Sequence, residues 1–231
     1  MKIDTTLLIL KTNKKVKQET SKFRGYIGRE FEKYPILHNH YGEGKFLYSY
    51  PLVQYQNIDG QASILGIEEG AEILKEIYPK ITELKMGDSY YKVEDHLIYD
   101  KEYDVKPLNE EIQYNFITPW IALNTKNFQQ YKQNTDWKER KIMLNKILVG
   151  NILSMSKGLG IIVNRRIHVK SNLEHVSTDY KGVNMLAFTG EFKVNFKIPD
   201  FMGFGKGVSQ GFGTVVKVDE PAEENPKADD N

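Results

Sequence analysis

Leu186-Ala187-Phe188-Thr189-Gly190-Glu191-Phe192-Lys193-Val194-Asn195-Phe196-Lys197-Ile198 places an apolar residue or glycine at every even position and mostly polar residues at the odd ones. A period of two sends alternate side chains to opposite faces, so this stretch predicts a β-strand with one buried face. The run before it, Arg166 to Val176, predicts a partner strand, joined to it as a hairpin through Lys181-Gly182. Further upstream, Leu144, Leu148, Ile152, Met155 and Leu159 recur at spacings of three and four. They predict an amphipathic helix that lies on the sheet, capped by Asp136 with Glu139 and running to about Lys157. Tyr114 to Leu123 reads as a strand before that helix, and Thr214 to Val218 as a short strand near the end.

The first part of the chain has the same grammar. A strand over Asp4 to Lys11 leads to a helix over Thr20 to Lys33. Two strand-like runs follow, Leu47 to Asn57 and Gln61 to Gly66, with Asp59-Gly60 between them as a hairpin turn. A helix over Glu68 to Ile77 ends at Pro79, and Ile81 to Val105 reads as further strand and hairpin. The order β-α-β-β-α-β is that of a ferredoxin-like half. Around Lys106 to Asn109 the pattern resets. The fold class is therefore α+β: tandem ferredoxin-like (RRM-like) halves over 1–108 and 109–218, the second with a C-terminal glycine-rich loop. An acidic tail over 219–231, with Pro221 and Pro226 and no large apolar residue, is expected to be disordered.

That glycine-rich loop is Gly203-Phe204-Gly205-Lys206-Gly207-Val208-Ser209-Gln210-Gly211-Phe212-Gly213, in which one Gly-Phe-Gly triplet occurs twice. Glycine allows positive φ and lets a ligand come close to the backbone, so successive N–H groups can converge on a phosphate. The loop lacks the Gly-Lys-Ser/Thr ending of a nucleoside-triphosphate loop and does not follow a first strand, which argues against a nucleotide-binding βαβ unit. A glycine-rich connection packed on a sheet is the other reading of the same residues.

Composition narrows the rest. The chain has 231 residues, 40% of them hydrophobic, enough for one large core or two small ones. No apolar run approaches membrane-spanning length, and Leu7 to Leu10 is too short and too soon followed by Lys14 and Lys15 for a signal peptide, so a cytoplasmic protein is expected. The absence of cysteine excludes disulfides and thiolate metal sites. Of 32 basic and 31 acidic residues, six acids and one lysine fall within Asp219–Asn231. The body that remains is mildly basic, which is compatible with RNA.

His38-Asn39-His40-Tyr41 follows the first helix, with Lys45, Tyr48 and Tyr50 close behind. Imidazole can take or give a proton near neutral pH, lysine can stabilise charge on a phosphorane, and tyrosine can donate a hydrogen bond or a proton. The same histidines could instead be capping or surface residues, and His-x-His as a metal pair would need a third ligand that no nearby cluster supplies. Arg165 and Arg166, with Lys170, enter a predicted strand that is expected beside the glycine loop, where they could clamp phosphates or simply lie solvated. Lys14, Lys15, Lys17, Lys22, Arg24 and Arg29 form a second basic stretch with the same two readings. His96, His168 and His175 read as structural histidines.

The two Gly-hydrophobic-Gly triplets resemble the C-terminal glycine-rich loop of CRISPR-associated repeat-processing endoribonucleases of the repeat-associated RNA-binding (RAMP) superfamily. The resemblance implies a tandem ferredoxin-like fold from residue 1 to about 218 and metal-independent cleavage of CRISPR repeat RNA. In that reaction a ribose 2′-hydroxyl attacks the adjacent phosphate and leaves a 2′,3′-cyclic phosphate and a 5′-hydroxyl. It implies His40 as the principal acid-base group, with His38, Tyr48 and Lys45 assisting. RNA contacts are expected at Gly203, Gly205, Lys206, Gly207, Gly211, Gly213, Arg165 and Arg166. No cofactor and no metal are implied, and the partner is CRISPR repeat RNA, with effector-complex subunits and a second copy of the chain as further candidates. The alternative is a non-catalytic RNA-binding subunit of a CRISPR ribonucleoprotein, and a third reading is a small-molecule module on the same scaffold, which an enclosed apolar pocket would favour.

Overall fold

The computed structural model describes residues 1–38, 40–41, 45–46 and 50–219, with the backbone alone for 40–41 and 45–46. Along the chain run β1 (Lys2–Thr12), α1 (Thr20–Glu30), β2 (His40–Tyr41), β3 (Lys45–Phe46), β4 (Val53–Ile58), β5 (Gln61–Ile67), α2 (Glu69–Ile77), β6 (Glu83–Met86) and β7 (Ser89–Asp104). Then come β8 (Pro107–Trp120), α3 (Thr125–Gln133), α4 (Trp137–Gly158), β9 (Val169–Tyr180), β10 (Val183–Phe196) and β11 (Val215–Lys217). The acidic tail beyond Asp219 lies outside the described residues. Among the described residues no helix is long and apolar enough to cross a membrane.

The first sheet has the order β4-β5-β1-β7-β6 and the second β11-β8-β10-β9, with every pair antiparallel. Counting only the strands of a ferredoxin-like half, both sheets read 4-1-3-2, and β6 is an extra edge strand on the first. The two sheets belong to one molecule-wide packing scheme because β1 is buried on both faces. Leu8 and Leu10 join Phe23, Ile27, Tyr55 and Leu74 under the helices, whereas Ile3 and Leu7 join Leu65, Ile67 and the core of the second half. Thr5 and Thr6, buried within the same strand, donate to the Lys101 carbonyl and the Asp100 carboxylate across the sheet.

β10 bears out the alternation. Phe188, Phe192, Val194 and Phe196 are buried, and Phe192 stacks on Tyr114 of β8, whose Phe116 stacks in turn on Trp120. Burying aromatics of this size removes most of the apolar surface that the second sheet would expose, at about 25 cal/mol per Å². α4 closes over them with Leu144, Leu148, Ile152 and Met155, and Trp120 Nε1 donates to Asn151 Oδ1 at 3.0 Å. Asp136 caps α4 by accepting from the Lys138 amide at 2.9 Å.

Three features differ from the sequence expectation, in α1, α3 and β8. α1 stops at Glu30, not Lys33: Phe31 leaves helical geometry at φ −121° and ψ 45°, and its amide closes the last turn on the Ile27 carbonyl. α3 has no buried residue, so no apolar stripe announced it; its signal is the Asn124 cap, which accepts from the Asn127 amide at 2.8 Å. β8 starts at Pro107, so the strand takes up two residues assigned to the first half. Between β10 and β11, where a complete ferredoxin-like half has its second helix, Lys197 to Thr214 carries Pro199 and the glycine triplets and forms only a short 3₁₀ turn at Val208–Gln210.

Gly213 shows what that connection demands of its sequence. It has φ +68°, and a Cβ built there would lie 2.1 Å from the Phe204 carbonyl oxygen. Gly160 has a similar φ of +70° with nothing within 4 Å of such a Cβ. Gly160→Ala is expected to cost about 1 kcal/mol, the left-handed penalty alone, and Gly213→Ala roughly 3 kcal/mol, because backbone must also move. Urea midpoints of the two variants check this, and equal losses would show that the loop yields without resistance.

Candidate RNA-processing site

The glycine loop is held from both sides. Tyr50 Oη donates to the Gly203 carbonyl at 2.8 Å, the Gly203 amide donates to Gln54 Oε1 at 2.9 Å, and Gln56 Nε2 donates to the Phe201 carbonyl at 2.6 Å. On the other side the Gly213 amide reaches the Pro119 carbonyl at 2.9 Å and the Lys206 amide the Ile121 carbonyl at 3.0 Å. The loop thus fills the seam between β4 and the end of β8. Close backbone approach is to the protein itself at Gly203, Gly211 and Gly213, where a Cβ would meet the carbonyl oxygens of Phe212, Tyr55 and Phe204. At these positions, and at Gly205, where a Cβ would lie 2.6 Å from the Ile121 carbonyl oxygen, the glycine serves close packing.

The middle of the loop is different. Among the described residues the amides of Gly205, Gly207, Val208 and Ser209 have no hydrogen-bond partner, whereas those of Gln210, Gly211 and Phe212 turn back onto Gly207 and Val208. These four line a cavity of about 810 Å³ together with Arg24 of α1, Lys157 and Gly158 at the end of α4, and Tyr180 and Lys181 at the turn between β9 and β10. Gly207, with φ +80°, presses against the ring of Tyr180, which a Cβ would approach to 2.8 Å. The Nζ atoms of Lys206 and Lys181 lie 4.9 and 5.6 Å from the centre of the same ring. Cations and unengaged amides converge here, so the cavity is suited to an anionic chain.

Arg24 and its neighbours also fix the chain that leads into the histidines. Tyr55 Oη donates to the Leu37 carbonyl at 2.9 Å, and Arg24 Nη2 donates to the His38 carbonyl. Two consecutive carbonyls are thus held by side chains from β4 and α1. Burial pushes the Tyr55 and Tyr50 phenols well above their ordinary values, so both remain donors. His38 is half-buried and packs its Cβ against Gly28, in a groove with Arg24 and Arg29. At the far end of the segment Tyr50 sits between the glycine loop and Gly158, where a Cβ would come within 2.7 Å of it. Entry and exit of the histidine segment are therefore both tied to residues that line the cavity, Arg24 and Tyr50.

Within the segment β2 and β3 pair antiparallel, His40 opposite Phe46 and Tyr41 opposite Lys45. The side chains of His40 and Lys45, and all of Tyr48, lie outside the described residues. Arg165 and Arg166 are not beside the glycine loop. They precede Val169, and Tyr180, which touches the loop, is the other end of the same strand, about 36 Å away at about 3.3 Å per residue. Arg165 donates to Asn109 Oδ1 and the Arg166 carbonyl accepts from Asn195 at 3.1 Å, both at the sheet's opposite rim. His96 is a satisfied structural histidine, its Nε2 2.9 Å from the Ile81 carbonyl and its ring edge-on to Tyr78. His168, just before β9, and His175, exposed on it, stand apart from the cavity. Sequence reading left Arg24, Lys157, Tyr180 and Lys181 unassigned. Only Arg24 carried a signal, as a member of the basic stretch.

Comparison with known proteins places this geometry in a family. The model of the Cas6b N-terminal domain matches residues 1–104, and that of the Cas6b C-terminal domain matches residues 106–218. An uncharacterized protein of Methanocaldococcus jannaschii is 43% identical over 148 residues, which are 63% of this chain and 99% of the relative. A crystal structure of Cas6b superposes with a TM-score of 0.85 at 36% identity, over 94% of this chain and 100% of the other. A second, described as the CRISPR RNA processing endoribonuclease Cas6b, gives 0.76 at 33% identity, again over 94% and 100%. With two domain models in tandem and relatives above 30% identity matched over their whole length, the chain belongs to the Cas6b family of CRISPR repeat-processing endoribonucleases.

Proposed function

We propose that this protein processes CRISPR repeat RNA by metal-independent transesterification in the cavity between its two halves. The observation that carries the reading is that both ends of the His38-to-Tyr50 segment are tied to residues lining that cavity: Arg24, which holds the His38 carbonyl, and Tyr50, which holds the Gly203 carbonyl. RNA phosphates are received by the amides of Gly205, Gly207, Val208 and Ser209 and by Arg24, Lys157, Lys181 and Lys206.

His40 takes the proton of the 2′-hydroxyl, or gives one to the leaving oxygen, with His38, Lys45 and Tyr48 as the complementary groups. The 2′-oxygen forms a bond to phosphorus, the bond from phosphorus to the 5′-oxygen breaks, and the departing oxygen gains a proton. One strand becomes two, ending in a 2′,3′-cyclic phosphate and a 5′-hydroxyl. The groups assigned to acid-base work are thus imidazole, amine and phenol, none of which needs a bound ion to move a proton. A non-catalytic RNA-binding subunit would bind the same RNA and leave it intact.

Repeat RNA incubated with the protein in excess EDTA is expected to be cut at one position, and a single deoxyribose 5′ to the cut should abolish cleavage while binding is retained. Mapping both product ends checks the chemistry; cutting of the deoxy-substituted strand would overturn it.

His40→Ala is expected to lower the single-turnover rate by roughly 10²- to 10⁴-fold with little change in RNA affinity, the usual worth of a positioned acid-base group. His38→Ala and Tyr48→Phe should cost less. An unaltered rate in the His40 variant would move the active site elsewhere.

A further inference from the structure

Arg24 is half-buried on α1, and its guanidinium donates to the His38 carbonyl. Among the described residues no carboxylate forms a salt bridge with it, although the protein pairs many of its exposed lysines. A cation taken partly out of water is costly unless an anion or a set of acceptors compensates it. One carbonyl is a small compensation for a guanidinium with five N–H donors in a fixed planar fork. The remaining donors belong to a residue that lines two spaces at once: the large cavity with the unengaged loop amides, and the groove that holds His38.

On the reading given under Proposed function, we propose that Arg24 is a positioning residue through which an RNA phosphate in the cavity sets the place of the histidine segment. A guanidinium can bind a phosphate oxygen with one edge and a carbonyl with another in one rigid plane, whereas the three donors of a lysine ammonium rotate freely and fix no geometry between the two acceptors. The phosphate fixes the Arg24 plane, the plane fixes the His38 carbonyl, and the chain that carries His40 leaves from that carbonyl. Gly28 makes the coupling tight, since a Cβ at that position would lie 3.1 Å from the His38 Cβ and push it aside. Affinity and catalysis are therefore linked at one side chain, and they are separable by substitution.

The test is binding of a repeat RNA carrying the single 2′-deoxy substitution, measured over a salt series, beside single-turnover cleavage of the all-ribose strand. Arg24→Ala is expected to weaken binding about 10-fold and to lower the slope of log K against log salt by about one, the mark of one lost phosphate contact. Its cleavage rate at saturating enzyme should fall at least 100-fold, with partial recovery in added guanidinium at concentrations too low to unfold the protein. Arg24→Lys should restore the salt slope and most of the affinity but not the rate. Gly28→Ala should reduce the rate about 10-fold with affinity and salt slope unchanged. Unaltered binding and salt slope in Arg24→Ala would overturn the phosphate contact, and a wild-type saturating rate in that variant, or in Gly28→Ala, would overturn the coupling. Failure of the wild-type protein to cut any repeat RNA would instead refute the transesterase reading, while the binding arm would still report on the Arg24 contact.

Discussion

The architecture depends on how both backbone groups of Gly203 are satisfied. Its amide donates to Gln54 and its carbonyl accepts from Tyr50, and Gln56 holds Phe201 two residues earlier. Gln54 and Gln56 are fully buried, so each would be a liability without such partners. Through the Gly203 amide and the Phe201 carbonyl the two side chains join a segment without regular structure to β4, although Gln56 Oε1 itself meets no partner among the described residues. The seam places two parts of the cavity wall, the loop amides on one side and the exit of the histidine segment on the other.

The second half has given up a helix to make that seam. A helix satisfies its own backbone and presents only side chains to its neighbours. The connection from Lys197 to Thr214 leaves its amides to be distributed, some to β4 and β8 and a few to the cavity. The glycines therefore serve two ends that are hard to tell apart from composition. Those at the triplet edges let backbone meet backbone, and those in the middle open a surface to solvent.

The fold was legible where burial follows a period. β10 and the apolar face of α4 announced themselves because each repeats its apolar residues at the spacing of its own geometry, and Asp136 marks where the helix begins. α3 was silent because it buries nothing. The site was legible as chemistry and not as geometry. His38, His40 and the glycine triplets could be picked out by residue type, but which end of a hairpin meets the loop is a tertiary matter. Arg165 and Arg166, expected beside the loop, stand at the opposite rim of the sheet, and Tyr180 and Lys181, which border the cavity, went unnoticed. Arg24 lay within a basic stretch of ordinary appearance. What distinguishes it is the His38 carbonyl it holds and the carboxylate it lacks among the described residues, and neither has a trace in the string of letters.

The contact between Gly203 and Gln54 joins positions 149 apart in the chain. Contacts of such separation form late, after the entropy of closing the intervening loop has been met by the cores on either side. During synthesis, domains tend to fold from the N-terminus as they emerge, so the first sheet can form while the glycine loop is still being made. A nascent or C-terminally truncated chain can thus present α1 and the histidines but not the far wall of the cavity. On this order the wall that the glycine loop supplies is added to the cavity only once the second half has folded against β4.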